Sequence, residues 1–77
     1  MMVRMYKPEA RKRFNAGEQI FVLPCKANIN SPWFQMSMFA KDEREPERTF
    51  DRLVRAYEWA NCNSELGYYT AFYREEK

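Results

Sequence analysis

The amino-acid sequence predicts a small α+β domain, and three features of the chain lead to that prediction. One segment, residues 46–61, repeats its apolar side chains at helical spacing. Three others, residues 19–23, 33–40 and 66–73, are rich in the β-branched and aromatic residues that favour strands. The chain has 77 residues, of which 45% are apolar and 17% aromatic, so we expect one densely packed domain that spans residues 1–77.

A short helix is predicted first, at residues 8–16. Pro8 suits the first helical turn, and Gly17 suits the left-handed residue that follows the last turn. Only Ala10 and Phe14 share an apolar face, so this helix is expected to cover the core weakly. The preceding residues 1–7 have no clear pattern and are expected either to fray or to form an edge strand.

Three strands are predicted around the turns and helices. Residues 19–23 give the clearest one, because four consecutive apolar residues are typical of a strand that is covered on both faces. Pro24 lacks an amide donor and is expected to end or bulge the ladder. The two later strands, residues 33–40 and 66–73, alternate their side chains between two faces.

The long helix at residues 46–61 is the element on which the rest of the domain is expected to pack. Its start is open between a cap formed by Asp42 with Glu45 and Pro46 as the first helical residue. Its buried face is predicted to consist of four side chains at i, i+3, i+4 and i+7 spacing: Phe50, Leu53, Val54 and Tyr57. The opposite side then carries a stripe that points away from the core: Arg48, Arg52, Arg55 and Trp59.

The order helix, strand, strand, helix, strand predicts a three-stranded antiparallel sheet. A hairpin of the first two strands and a right-handed crossover return the last strand beside the first, which gives the strand order 2-1-3. The long helix is expected to cover one face of this sheet. The short N-terminal helix is expected to cover part of the other face.

The charge and cysteine content narrow the class of protein. The net charge of +2 is too small to draw the whole molecule onto nucleic acid or a membrane, although residues 1–13 hold five basic residues against one acidic residue. No segment has the apolar core of a signal peptide or a membrane span. Cys25 and Cys62 are expected to be thiols in a reducing compartment, with a disulfide between them left open, so we expect a cytoplasmic protein.

Catalytic chemistry has little support in the sequence. The chain has no histidine, and two isolated cysteines cannot complete a tetrahedral zinc site. Gly17 and Gly67 are the only glycines, so there is no glycine-rich phosphate loop. A carboxylate pair such as Glu58 and Glu65 has no spacing that separates it from surface charge. We therefore expect a protein that is not an enzyme and has no metal site and no cofactor.

The stripe on the long helix predicts a surface that binds a protein partner or a second copy of the chain. Tryptophan and arginine are enriched among the residues that dominate interface energies, so Trp59 and Arg52 are expected to be central. The plain alternative is a solvated helix face, in which Asp51 pairs with Arg55 and Trp59 folds over a chain end.

A nucleic-acid-binding accessory protein is the alternative function. Arginines hold phosphates and flat rings stack on bases, which suggests a surface made of Arg11, Lys12, Arg13, Tyr69 and Tyr73. The basic run also suits a plain solvated helix end. Leu66 stands where an RNA-recognition strand has a basic residue, and acidic residues beside the arginines would repel phosphates.

Several short runs of the chain have a recognisable cadence: Phe-Asn-Ala-Gly at 14–17, Val-Leu-Pro-Cys-Lys at 22–26, Asn-Ser-Pro-Trp at 30–33, and Asn-Cys-Asn-Ser-Glu-Leu-Gly-Tyr-Tyr at 61–69. Together with Phe72 and Tyr73, they resemble short uncharacterised proteins carried on mobile elements of Gram-positive gut bacteria. The resemblance implies a bacterial accessory protein of plasmid or phage type, for which binding another macromolecule is a natural role. It implies no activity and no role for any residue.

Overall fold

A computed structural model describes residues 1–24, 36–62 and 69–76 of the chain. These residues form four strands and two helices, in the order β1 (Met2–Met5), α1 (Lys7–Asn15), β2 (Ile20–Pro24), β3 (Ser37–Phe39), α2 (Phe50–Asn61) and β4 (Thr70–Glu75). The α+β class is therefore confirmed.

The sheet has four antiparallel strands in the order β1-β4-β2-β3, so the predicted three-stranded sheet of order 2-1-3 is correct only in part. Strand β2 does pair with both β3 and β4, as predicted for residues 19–23 and the two later strands, but the prediction lacks the fourth strand. The additional strand is β1, which pairs with β4 from Met2 opposite Glu75 to Met5 opposite Phe72. Two hydrogen bonds extend this ladder. The Met1 amino group donates to the Glu76 carbonyl at 2.7 Å, and the Glu76 amide donates to the Met1 carbonyl at 2.8 Å. Strand β1 lies at the edge of the sheet, which is one of the two alternatives expected for residues 1–7. Four residues are too few to show a strand period, and their partner lies at the other end of the chain, so local pattern could not choose between the alternatives.

The two helices differ in how well their limits were predicted. Helix α1 has the expected position, and Gly17 follows it with φ +92°. Helix α2 begins at Phe50 instead of residue 46, because the Thr49 hydroxyl accepts a hydrogen bond from the Arg52 amide at 3.3 Å and caps the first turn. The preceding segment forms turns instead. The Glu45 amide donates a hydrogen bond to the Asp42 carbonyl, and the Arg48 amide donates one to the Glu45 carbonyl, both at 3.0 Å. The predicted strands at 33–40 and 66–73 lie partly outside the described residues.

The core lies between the sheet and both helices. Phe50 is its centre, with its ring centroid 5.7 Å from that of Phe14 on α1 and 5.5 Å from that of Phe72 on β4. The other buried members come from every element except β4, which already contributes Phe72: Met5, Ala10, Ile20, Val22, Phe39 and Val54. Helix α1 thus lies on the same face as α2, and the prediction that it covers the other face is wrong. Its apolar residues Ala10 and Phe14 pack in the cluster around Phe50 instead of crossing to the far side.

The other face of the sheet carries a cross-strand row of four side chains. The register aligns Arg4 with Tyr73, Tyr73 with Phe21 and Phe21 with Met38. These residues alternate with the core residues Val22 and Phe72 along their strands, so they point away from both helices. Arg4 and Met38 are exposed, and the two rings between them are partly exposed. We name Arg4, Tyr73, Phe21 and Met38 the sheet row.

Candidate functional site

The outer face of α2 is the surface that the sequence singled out. It consists of Arg52, Arg55, Ala56, Trp59 and Ala60, which are all exposed. Trp59 is 89% exposed, so the predicted outward position of the indole is confirmed. On the inner side, Phe50 and Val54 are buried, and Leu53 and Tyr57 pack against the core. The helix therefore has the predicted rotational phase.

The arginines of this face lie outside the ion pairs of the described part of the chain. Neither Arg52 nor Arg55 forms an ion pair there. Asp51, which the plain alternative pairs with Arg55, instead binds Arg11 with a distance of 2.9 Å between Arg11 Nη2 and Asp51 Oδ1. That hydrogen bond lowers the pKa of the Asp51 carboxyl, with smaller contributions from the charges of nearby basic residues, which include Arg55.

Arg48 lies apart from the other three residues of the predicted stripe. It precedes α2, in the segment that forms turns, and its Nη1 is 3.0 Å from Glu45 Oε2. The structure therefore brings Arg52, Arg55 and Trp59 onto one helix face and leaves Arg48 outside it.

The basic run of α1 is largely used within the fold. Arg11 pairs with Asp51, and its guanidinium carbon lies 5.6 Å from the centre of the Phe50 ring, in cation–π range. Arg13 pairs with Glu9 at 3.2 Å and with Glu18 at 3.0 Å. Lys12 is exposed. Two of the three charges proposed to hold phosphates are thus already matched by carboxylates.

The aromatic half of the predicted nucleic-acid surface lies elsewhere. Tyr73 belongs to the sheet row, on the face opposite α1, so the structure does not join it to the run at Arg11 and Arg13. Tyr69 precedes β4 and is 53% exposed. The sequence missed the sheet row because Arg4 enters it only through the pairing of β1.

A cavity of about 270 Å³ lies where β1 ends and α1 begins. We name it the β1–α1 pocket. The polar and aromatic residues that line it are Arg4, Tyr6, Lys7, Glu58, Tyr69 and Thr70. Sequence reasoning missed this cavity too, because it depends on β1, α2 and β4 meeting at one edge of the sheet.

Metal-ligating residues do not cluster in the parts of the chain that the structure covers: no group of three or more acidic residues, cysteines or histidines is found there. Neither described helix is long and apolar enough to cross a bilayer. Cys25 lies outside the described residues, so its pairing with Cys62 stays untested.

No family model, no curated protein and no solved structure matches this chain. The resemblance to proteins of mobile elements therefore stays a prediction. The two candidate surfaces from which we infer function are the outer face of α2 and the β1–α1 pocket.

Proposed function

We propose that this protein is a small non-enzymatic interaction module that binds an acidic protein segment through the outer face of α2. Trp59 and Arg52 are its central contacts. One observation supports the proposal above all. Trp59 is 89% exposed and shares its helix face with Arg52 and Arg55, which form no ion pair in the described part of the chain.

The exposed tryptophan supplies the apolar anchor. An indole buries a large area when a partner covers it, and truncating such a residue at an interface centre costs at least about 2 kcal/mol. Ala56 lies one turn before Trp59 on the same face, and its small side chain leaves room for a partner to approach the ring. The partner therefore needs an apolar cavity or ridge that receives the indole.

The arginines specify the charge of that partner. Arg52 and Arg55 are separated by three positions on the helix, so their guanidinium groups lie on neighbouring turns and can each form a bidentate pair with a carboxylate. An acidic segment with apolar residues between its carboxylates matches both features of the surface.

A second copy of this chain fits the same surface poorly. Most of its described carboxylates already belong to internal ion pairs: Glu9, Glu18, Asp42, Glu45, Asp51 and Glu76. A symmetric contact of the outer face with itself would also bring like charges together. Charge complementarity therefore favours a different protein over self-association.

The test uses two synthetic amphipathic helical peptides with the same apolar residues, one rich in glutamate and one rich in lysine. Fluorescence anisotropy of the labelled peptides measures the dissociation constants. The acidic peptide is expected to bind more tightly, and Trp59→Ala is expected to weaken it about 30-fold, which corresponds to about 2 kcal/mol. Arg52→Glu is expected to abolish the preference for the acidic peptide.

Arg44→Glu is the matched control, because Arg44 has a side chain that is 90% exposed, precedes α2 in the chain and is not part of the outer face of α2. It changes the net charge by the same amount and is expected to leave the binding intact. Equal affinity for both peptides, or equal weakening by Arg44→Glu and Arg52→Glu, would contradict the proposal. A dimer in light scattering that Trp59→Ala dissociates would replace the acidic partner with a second copy.

A further inference from the structure

The β1–α1 pocket has an apolar base and a polar, aromatic mouth. Met5 and Phe72 line it and are each only 4% exposed. Tyr6 and Tyr69, which line it as well, are 87% and 53% exposed. Two flat rings in contact with solvent thus border a cavity of about 270 Å³, slightly below the size range of about 300–1,000 Å³ that is usual for small-ligand sites.

Charges of both signs line this pocket without neutralising one another. Arg4, Lys7 and Glu58 take part in no ion pair within the described ranges, in contrast to the paired arginines and carboxylates around α1. Glu58 is held in place because its Oε1 accepts a hydrogen bond from the Thr70 amide at 3.4 Å. A ligand that carries an anionic group and N–H donors can satisfy both signs at once.

Thr70 adds an unused hydrogen-bonding group beside Glu58. It is 7% exposed, and its Oγ1 is buried with no hydrogen-bond partner among the residues that the structure describes. Buried polar groups are nearly always paired in folded proteins, so a hydroxyl that is unpaired within the described residues and lies next to a cavity can hydrogen-bond to a ligand there.

We propose that the β1–α1 pocket binds one nucleotide unit, with guanine as the preferred base. The base stacks on the tyrosine rings, Lys7 binds the phosphate, and Glu58 accepts hydrogen bonds from the edge of the base. Guanine presents two adjacent N–H donors at that edge, at N1 and N2, which suit one carboxylate. Adenine presents one donor beside an acceptor, which a carboxylate repels. This site is independent of the outer face of α2.

A free nucleotide and a nucleotide within a single strand share this chemistry, and the sheet row distinguishes them. Arg4 lines the pocket and is also aligned with Tyr73, which is followed across the sheet by Phe21. A strand that leaves the pocket past Arg4 would meet these two further rings. A single strand is therefore expected to bind more tightly than a mononucleotide, whereas a free nucleotide gains nothing from the sheet row.

The experiment titrates the full chain with GMP, AMP and a single-stranded RNA hexamer that contains one guanine, and follows the amide resonances of Glu58 and Thr70 by NMR. GMP is expected to bind about tenfold more tightly than AMP, since one additional charge-assisted hydrogen bond has about that effect. Glu58→Gln keeps an acceptor for the Thr70 amide and is expected to remove this preference. Tyr6→Ala is expected to weaken all three ligands about tenfold, and Tyr6→Phe is expected to leave them unchanged.

The variant Tyr73→Ala distinguishes a free nucleotide from a nucleotide within a single strand. If this variant removes only the additional affinity of the RNA hexamer, the site belongs to a single strand; if GMP and the hexamer bind equally, the ligand is a free nucleotide. Absence of any shift of Glu58 and Thr70 with millimolar GMP would overturn the proposal. So would unchanged discrimination between GMP and AMP in Glu58→Gln. Trp59→Ala is expected to retain nucleotide binding and to weaken peptide binding. The two measurements therefore test the nucleotide site and the peptide site separately.

Discussion

The basic run of α1 and the outer face of α2 contain the same type of residue in opposite electrostatic situations. Arg11 and Arg13 each bind a carboxylate of the same chain at about 3 Å. Arg52 and Arg55 form no ion pair in the described part of the molecule. The difference arises because the fold brings Asp51, forty positions away, beside Arg11. Whether an arginine is structural or available for a partner thus depends on tertiary neighbours.

The two surfaces also differ in what lies beneath them. Arg11 lies against the ring of Phe50 and pairs with the neighbouring Asp51, so it links α1 to α2 above the centre of the core. Trp59, at the other end of α2, has almost its whole side chain in solvent. One basic surface therefore contributes to stability, and the other is expected to change binding only.

The largest effect is expected from Phe50→Ala, with Trp59→Ala as its matched control on the same helix. Phe50 packs against both Phe14 and Phe72, so its truncation is expected to lower the free energy of unfolding by about 3 to 5 kcal/mol. Trp59→Ala is expected to change it by less than about 0.5 kcal/mol. Urea denaturation followed by circular dichroism measures both. A large loss in Trp59→Ala would show that its face is part of the fold.

A smaller effect is expected from Arg11→Met, which keeps an apolar side chain of similar length and removes the charge. The variant loses the pair with Asp51 and the contact with the Phe50 ring, so its urea midpoint is expected to fall by a measurable amount, well below that of Phe50→Ala. Arg52→Met is the control and is expected to leave the midpoint unchanged. Equal midpoints in the two variants would remove the contrast between the surfaces.

The pH dependence of stability tests the pair between Arg11 and Asp51. The hydrogen bond from Arg11 lowers the pKa of the Asp51 carboxyl in the folded state. Its contribution to stability is therefore present above the pKa of the unfolded chain and is lost as the pH falls through the lower, folded pKa. Asp51→Asn is expected to lose less stability between pH 7 and pH 3 than the unchanged chain. Identical acid-induced changes in the two urea midpoints would contradict a role for Asp51.

The smallest effect is expected from Thr70→Val in the absence of ligand. The hydroxyl that it removes is buried without a partner among the described residues, and valine has the same shape, so the free energy of unfolding is expected to stay equal or to rise by up to about 1 kcal/mol. Thermal denaturation without nucleotide measures this. A clear loss of stability would mean that Thr70 Oγ1 already has a partner in the free protein.

Sequence spacing was informative wherever the signal is contained within one element. The i, i+3, i+4 spacing of Phe50, Leu53 and Val54 fixed which side of α2 is buried, and Gly17 marked the end of α1. The predicted start of α2 was wrong because proline suits a first helical turn wherever a helix begins, whereas the hydrogen bond from the Arg52 amide to the Thr49 hydroxyl places the start at Phe50.

The sequence by itself determined that this chain is an α+β domain and that Trp59 faces outward, because helical periodicity relates residues only a few positions apart. The tertiary structure alone decided that β1 pairs with β4, that α1 shares a face with α2, and that Asp51 pairs with Arg11. It also decided that Arg4, Glu58 and Thr70 meet around one cavity. These contacts join distant parts of the chain, so they depend on how its elements pack together and no local pattern contains them.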